Sequence, residues 1–370
     1  MTVDNLATLF DPATCKKRGL CPVTQIRHQA TPLESHSLYY EIHGISDDAD
    51  VHTRVVFIMG LNSSSFAWSL QAEHFARLPG YQILLLDNRG VGHSGTPKGP
   101  YTTQGMAEDV VVLLDYLGQP WTQARALNIV GVSLGGMIAQ GKYELRRYAI
   151  YLTPTNRAGF ESPRENRVAD AGCDHGRTSV NAATAILESI PSTDAWQAQS
   201  LWPSAYSEMR WLFLTRPRRL MFTADIEQKI PLIIEMVYPR SWLDERAEDD
   251  EQSRTNRELQ VLLYRKRIST TAPQRFIGGI SQMAAALTHR VSPDRLRRIH
   301  ELIPYIHIAT GDQDNLVAPT NSHHIKSCMP NAGFEQWEAT GHALHVQRPK
   351  RFNAMLEKTF AEGRRKLDGN

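Results

Sequence analysis

The sequence predicts an α/β fold, with a mostly parallel central sheet flanked by helices. Short apolar runs alternate with amphipathic segments in the first part of the chain and again near its C-terminus. Strands that are apolar on both faces are typical of a parallel sheet covered by helices on each side. The segment between these two parts carries helix-like patterns and no convincing buried strand. We therefore predict a sheet-based core that is interrupted by a helical cap insertion.

The strands are predicted from apolar runs that end in turn residues. A run over residues 38–43 alternates and ends at Gly44, and a continuous run over residues 54–59 ends at Gly60. A third run, over residues 81–87, leads into a glycine-rich loop. Further strands are predicted over residues 148–152, 305–310 and 333–337, together with one that ends at Val132. Continuous apolar runs are typical of strands that are buried on both faces.

Helices are predicted where apolar residues recur at helical spacing. Residues 102–117 carry Met106, Val110 and Leu114 on one face and end before Gly118. Other core helices are predicted over residues 63–78, from residue 137 onward, and over residues 349–362. Cap helices are predicted over residues 180–190, 212–222, 226–237, 256–266 and 274–288.

These elements divide the chain into three parts. Residues 1–36 have weak periodicity and are predicted to form an extended or partly disordered N-terminal arm. Residues 37–157 and 291–370 form the predicted core, and residues 158–290 form the predicted cap. We expect the cap to supply the walls of a substrate pocket.

Composition and charge argue against several classes of protein. The chain has 370 residues, of which 41% are hydrophobic and 22% are charged, as is ordinary for a globular protein. Its formal net charge of +2 gives no reason to expect nucleic acid as a partner. No apolar run reaches the roughly 20 residues that a membrane span needs. No secretory signal is recognisable either, so a cytoplasmic location is the default expectation.

The cysteines do not indicate a metal site. Cys15, Cys21, Cys173 and Cys328 are scattered, without the spacing of zinc ligands. Cys15 and Cys21 could bridge in an oxidising compartment, although free thiols are the expectation for the cytoplasm. We predict neither a metal nor a cofactor.

A glycine-rich pattern around one serine indicates a catalytic nucleophile. Gly131-x-Ser133-x-Gly135 lies between the apolar residues of a strand and the start of a helix. Small residues beside the serine permit a turn too sharp for larger side chains, and this turn exposes the hydroxyl to a base. A serine nucleophile needs a histidine base and an orienting carboxylate.

Two later loops supply these partner groups. Asp312 and Asp314 follow the strand predicted over residues 305–310, and His342 and His345 follow the last predicted strand. Both loops should lie at the carboxyl ends of strands, where open α/β sheets place their sites. The chain order serine, aspartate, histidine is that of the α/β-hydrolase arrangement.

On these motifs the chain resembles the α/β-hydrolase fold family, in its single-domain form with a helical cap. The likeness extends over about residues 38–360 and includes the loop over residues 87–94. The resemblance implies that Asp314, three residues past a glycine, is the acid. It also implies that His342, which directly follows a glycine, is the base. Asp312 is then interpreted as a turn carboxylate, and His345 as a ring that starts a helix or faces the core.

The resemblance further implies an oxyanion hole made of backbone N–H groups. The donors would be Leu61, after the strand over residues 54–59, and Leu134, after the nucleophile. Asn62, next in line, is a candidate substrate contact. The chain departs from the family at Met59, where a histidine is usual. It departs again over residues 141–155, which are shortened and charged where an apolar strand is expected.

A second glycine pattern does not indicate nucleotide binding. Gly90-x-Gly92-x-x-Gly95 matches the dinucleotide fingerprint and follows a predicted strand. A dinucleotide loop must open directly into a helix, whose N-terminus holds the pyrophosphate. Pro97 and Pro100 follow here instead, so we interpret the loop as a structural turn.

The sequence therefore predicts a cofactor-free serine hydrolase that cleaves a carboxylic ester through an acyl-enzyme. Its partner would be a small, apolar ester or acyl compound, and the oligomeric state is left open. Acyl transfer, C–C hydrolysis and a cofactor-free haloperoxidase-like activity on the same three residues are alternatives. A non-catalytic binding module on the same scaffold is another, because a fold does not dictate a function.

Overall fold

A computed structural model describes residues 6–24, 36–122, 127–141, 225–248 and 250–368, together with the backbone of residues 183–187. The strands are β1 (Cys15–Val23), β2 (His36–His43), β3 (Thr53–Ile58), β4 (Tyr81–Leu86), β5 (Leu127–Val132), β6 (Ala183–Leu187), β7 (Tyr305–Gly311) and β8 (Gly333–Trp337). The helices of the described ranges are α1 (Ser69–Ala76), α2 (Thr103–Leu117), α3 (Leu134–Ala139), α4 (Ile226–Val237), α5 (Arg240–Asp244), α6 (Asn256–Thr270), α7 (Phe276–Leu287), α8 (Pro293–Leu302), α9 (Pro319–Cys328), α10 (Leu344–Gln347) and α11 (Pro349–Asp368).

The strands form one eight-stranded sheet in the order β1-β2-β4-β3-β5-β6-β7-β8. β2 runs antiparallel to both β1 and β4, and every other neighbouring pair is parallel. The carboxyl ends of the six strands from β3 to β8 therefore lie at one edge of the sheet. This arrangement confirms the predicted α/β fold with a mostly parallel sheet.

Alternate residues of the central strands enter two cores, one on each face of the sheet. On β3, Val55 and Phe57 pack in a cluster with Phe75 of α1 and Phe352 of α11. Val56 packs on the opposite face, in a cluster that also contains residues of α2 and α3. Because successive strand side chains point to opposite faces, a continuous apolar run fills both cores.

The predicted N-terminal arm is wrong over residues 15–23, which form strand β1. This strand pairs with β2 over its length, with Gly19 opposite Tyr40 and Cys21 opposite Leu38. Buried and exposed residues alternate along its second half. Lysines at its start and Pro22 conceal this pattern in the sequence, and both features are common in edge strands.

The predicted helix over residues 180–190 is also wrong, since residues 183–187 form β6. This strand lies between β5 and β7 and is parallel to both. A short run of alanine, threonine, isoleucine and leucine cannot be assigned to strand or helix by periodicity. The predicted cap, residues 158–290, therefore includes a core strand. The strand predicted over residues 148–152 and the helix over residues 212–222 lie outside the described residues.

The later part of the predicted cap is helical. Helices α4, α6 and α7 lie where the apolar spacing predicts them, between β6 and β7 in the chain. Capping supports the assignment of α6, because Thr255 and Glu258 form a reciprocal capping box at its start. Among the helices of the described ranges, none has the length and apolar character that crossing a bilayer requires. Cys15, Cys21 and Cys328 are free thiols.

Candidate active site

The serine of the glycine-rich pattern lies in a sharp turn between β5 and α3. Ser133 has φ 54° and ψ −122°, a conformation that residues with a side chain rarely adopt and that costs about 1–3 kcal/mol. A Cβ on Gly131 would overlap the backbone of Gly135, and a Cβ on Gly135 would overlap the Ile58 carbonyl oxygen. The backbone therefore has the geometry of the predicted nucleophile elbow, and glycine is required on both sides of the serine.

The helix after this turn is short, and neighbouring groups hold its end. α3 contains six residues. The Gly141 N–H donates to the Ile138 carbonyl over 2.7 Å, and Arg295 of α8 donates to the Gln140 carbonyl over 2.7 Å. These bonds satisfy carbonyls that a helix end otherwise leaves without partners. Most of the shortened segment that the sequence indicates after this helix lies outside the described residues.

Asp314 and His342 form a buried hydrogen-bonded pair. Nδ1 of His342 lies 2.8 Å from Oδ2 of Asp314. The other carboxylate oxygen accepts the backbone N–H groups of Leu316 over 2.7 Å and Val317 over 2.9 Å. An ionised carboxylate can only accept, so in such a pair Nδ1 carries a proton and Nε2 is the ring nitrogen with a lone pair that can accept one. The His342 N–H donates to the Val237 carbonyl over 2.8 Å, which anchors the histidine loop to α4.

The alternative residues in these two loops have structural contacts. Oδ1 of Asp312 accepts the Thr340 N–H over 3.1 Å, which ties the loop after β7 to the loop after β8. His345 is buried, with its ring centroid 4.7 Å from that of Trp68. Burial lowers the pKa of His345 to about 3. A histidine held neutral within the core has a packing role, in keeping with the interpretation of the sequence.

The sheet brings the candidate site residues to one edge. Ser133 follows β5, Asp314 follows β7 and His342 follows β8. Leu61 follows β3, and a Cβ on Gly60 before it would lie 3.1 Å from the Ser133 Cβ. The loop after β3 therefore lies directly against the serine. The carboxyl edge is where open α/β sheets bind their ligands.

The two candidate oxyanion donors lie on either side of this contact. Leu134 is the first residue of α3, and the first N–H groups of a helix have no partner within it. Leu61 lies in the turn after β3. Met59, at the position where the resemblance leads us to expect histidine, is buried in the core. Its carbonyl accepts Nδ2 of Asn88 over 2.8 Å, so an asparagine anchors the start of this loop.

Two glutamines that sequence reasoning missed hold the far side of the same loop. Asn62 is exposed and has φ 54°. Its N–H donates to Oε1 of Gln282 over 2.8 Å, and its Oδ1 accepts Nε2 of Gln274 over 3.0 Å. Both glutamines belong to the cap segment at α7. A lone glutamine in a helical segment has no motif, so the sequence offers no signal for either contact.

The glycine-rich loop after β4 is a structural turn, as interpreted from the sequence. The buried Asp87 carboxylate accepts the Ser65 N–H over 2.7 Å and the His93 N–H over 2.8 Å. Gly92 has φ 61°, and a Cβ there would overlap this carboxylate. Burial raises the pKa of Asp87. Gly92 therefore serves the close packing of the loop around this carboxylate, while Gly90 packs against Tyr101 and Gly95 against His36.

A group of candidate metal ligands lies away from this edge in the part of the chain that the structure describes. Donor atoms of Cys15, Glu41 and His43 lie within 4.8 Å of one another on β1 and β2. Glu41 accepts the Tyr39 hydroxyl over 2.7 Å and contacts His43 Nε2 over 3.1 Å, while His43 Nδ1 contacts the Thr14 hydroxyl over 2.9 Å. This network gives the carboxylate and the imidazole hydrogen-bond partners from the protein itself.

Burial of His345 makes the stability of the protein fall in acid. The pKa of this residue is about 3 in the folded chain, whereas an unfolded histidine titrates near about 6.5. Between these values the unfolded chain binds one more proton at this residue than the folded chain does. The free energy of unfolding therefore rises with pH across this window and falls as pH drops below about 6.5.

Replacing His345 by phenylalanine removes this titration while keeping a ring against Trp68. Between pH 6.5 and pH 5 the His345→Phe variant should lose about 1.6 kcal/mol less unfolding free energy than the wild type, since the full slope of about 1.4 kcal/mol per pH unit applies only well below pH 6.5. Urea unfolding at the two pH values measures the difference. An equal loss in both proteins would show that His345 is not held neutral.

Comparison with known proteins identifies the family. The model of the Alpha/beta hydrolase family matches residues 51–355. A 3-oxoadipate enol-lactonase of Acinetobacter baylyi is 35% identical over 86 residues, which are 23% of this chain and 30% of that protein. The segments matched in the first curated relatives span about a third of the length of those proteins.

Solved structures share the fold at low sequence identity. A thermophilic esterase from Thermogutta terrifontis has a TM-score of 0.58 and 16% identity, over 94% of this chain and 99% of that one. The enol-lactonase from Burkholderia xenovorans LB400 has a TM-score of 0.56 and 17% identity, over 88% and 97% of the two chains. Likeness at this identity shows the fold alone. The family match covers most of the chain, and the protein therefore belongs to the alpha/beta hydrolase family.

Proposed function

We propose that the protein is a cofactor-free serine hydrolase that cleaves carboxylic esters. The observation that carries the proposal is the buried His342–Asp314 pair, with 2.8 Å between Nδ1 and Oδ2. Both residues follow strands whose carboxyl ends lie at the same edge of the sheet as the strained Ser133 turn. A nucleophile, a base and an orienting acid on one edge are the parts that acyl transfer to serine requires.

In the proposed mechanism the Ser133 hydroxyl attacks the ester carbonyl. Nε2 of His342 takes the hydroxyl proton, and Asp314 keeps Nδ1 protonated and stabilises the imidazolium. The oxyanion of the tetrahedral intermediate accepts the N–H groups of Leu61 and Leu134. His342 then gives its proton to the leaving alcohol, and the acyl group remains on the serine.

The second half of the reaction repeats these roles with water. His342 removes a proton from water, whose oxygen attacks the acyl carbon, and the proton returns to Ser133 as the carboxylic acid leaves. An alcohol in place of water would give a new ester, which is the transferase alternative. The two reactions are distinguished by their products.

An ester is one substrate class that the relatives' names indicate, beside the carbamate that names two of the curated relatives. One solved neighbour is described as an esterase, and a relative and another neighbour are enol-lactonases. A lactone is an internal ester, so these names share one type of bond. We propose a small, apolar ester or acyl compound, because α7 beside the Leu61 loop carries Phe276, Ile277 and Ile280. Asn62 is proposed as a substrate contact at the mouth of the site.

Removal of the nucleophile tests the proposal. Ser133→Ala should lower kcat for p-nitrophenyl butyrate by at least about 10³-fold, because the variant lacks the hydroxyl that forms the acyl-enzyme. Ser322→Ala, which removes a buried hydroxyl on α9, is the matched control and should keep the wild-type rate. Product analysis in added methanol separates hydrolysis from transfer. Undiminished turnover by Ser133→Ala would rule out this nucleophile.

The choice between the two loop carboxylates has its own test. Asp314→Asn should lower kcat by about 10³–10⁴-fold, because the amide favours the wrong histidine tautomer. Asp312→Asn should stay within a few-fold of the wild type, since its side-chain oxygen can still accept the Thr340 N–H. Steady-state kinetics of the two variants at neutral pH decide the matter. The reverse ranking would make Asp312 the acid.

A further inference from the structure

Helix α7 of the cap packs closely on the loops at the carboxyl edge. A Cβ on Gly278 would lie 2.6 Å from the Gly90 carbonyl oxygen, closer than real contacts allow. A Cβ on Gly99 would overlap the Ser281 hydroxyl. Small residues on both surfaces therefore let the helix backbone approach the loop. This approach places the next side chain of the helix, Gln282, between two core loops.

Gln282 joins these two loops by hydrogen bonds of opposite direction. Its Oε1 accepts the Asn62 N–H over 2.8 Å, and its Nε2 donates to the Arg89 carbonyl over 2.7 Å. Gln282 is 0% exposed; its bond to Arg89 is buried, and its bond to Asn62 is partly buried. A backbone N–H only donates and a carbonyl only accepts. A side-chain amide offers both functions without charge, which explains a glutamine here.

These bonds hold one end of the turn that contains Leu61. The other end is held by Asn88, whose Nδ2 donates to the Met59 carbonyl. Asn62 has φ 54°, in the left-handed region that asparagine adopts more readily than most residues. Gln282 accepts the Asn62 N–H, so this group already has a hydrogen-bond partner within the protein. The preceding N–H, that of Leu61, is then the donor that the turn offers beside Ser133.

The position of this donor matters for the rate. An oxyanion donor acts only when it lies about 2.7–3.1 Å from the place that the oxyanion will occupy. A displacement of about 1 Å can cost 10²-fold in rate. The turn lies against the serine, since a Cβ on Gly60 would be 3.1 Å from the Ser133 Cβ. A shift of the turn therefore moves the donor relative to the nucleophile.

We propose that Gln282 is a positioning residue of the oxyanion hole, through which the cap holds the Leu61–Asn62 turn in its active geometry. The inference rests on the proposed serine-hydrolase function. It assigns a role in the reaction to a residue that lies 149 positions after the nucleophile in the chain and belongs to the cap. Gln282 does not touch the reacting atoms and acts through the turn.

Two substitutions of Gln282 remove its hydrogen bonds to different extents. Gln282→Met keeps the length of the side chain and removes both bonds. Gln282→Glu keeps the acceptor for the Asn62 N–H and sets a carboxylate oxygen against the Arg89 carbonyl. We expect kcat for p-nitrophenyl butyrate to fall about 10- to 100-fold in Gln282→Met with KM within about threefold of the wild type, because the transition state depends on the donor more than the bound ester does. The kcat of Gln282→Glu should fall at least as far as that of Gln282→Met.

A matched control excludes a general loss of packing. Gln82 is also buried and hydrogen-bonded, to Asp48 over 2.8 Å, but it lies at the amino end of β4. Gln82→Met should therefore keep the wild-type kcat. Binding of a phenylboronic acid, which forms a tetrahedral adduct with serine, should weaken in Gln282→Met by the same factor as kcat/KM. Exchange of the Asn62 amide hydrogen, followed by NMR, should be slow in the wild type and fast in this variant.

These measurements distinguish a failure of the inference from a failure of the proposed function. Ester hydrolysis that survives Ser133→Ala would remove the proposed function, and with it any role for Gln282 in an oxyanion hole. If hydrolysis depends on Ser133, an unchanged kcat in Gln282→Met overturns the inference alone. An equal fall of kcat in Gln82→Met and Gln282→Met, or an unchanged exchange rate at Asn62, overturns it as well.

Discussion

The close approach of the Ser133 turn to the end of β3 is the constraint on which the site depends. Gly135 lies so near the Ile58 carbonyl that no side chain fits between them, and a Cβ on Gly60 would lie in tight contact with the serine, 3.1 Å from the Ser133 Cβ. Two parallel neighbours, β3 and β5, must therefore end in register for the serine to meet the Leu61 turn. The strained backbone of the serine persists because packing on both faces of the sheet holds these strands.

Asp314 and His342, the proposed acid and base, lie in loops that follow two other strands. Their loops follow β7 and β8 and are fastened to each other through Asp312 and Thr340. The helical segment from α4 to α7 is hydrogen-bonded to loops of both groups, because the Val237 carbonyl accepts the His342 N–H and Gln282 accepts the Asn62 N–H.

Much of the fold and site can be predicted from the sequence, because the motifs are local. Continuous apolar runs indicate buried strands, and a glycine-flanked serine between strand and helix indicates the turn. Local sequence patterns do not predict an element whose conformation depends on tertiary contacts. β1 carries lysines that suit an edge, and β6 is a short, alanine-containing run whose pairing alone makes it a strand. The role proposed for Gln282 cannot be predicted from sequence for the same reason, since it depends on backbone groups that are far away in the chain.

The central claim is that Ser133 is an activated nucleophile, and covalent capture tests it most directly. A fluorophosphonate reacts with a serine that an adjacent base activates and stays attached through phosphorus. After labelling of the wild-type protein, proteolysis and mass spectrometry should find one equivalent of the adduct on the Ser133 hydroxyl, and heat-unfolded protein should not react. An adduct on a different residue, or no adduct on the folded protein, would contradict the account.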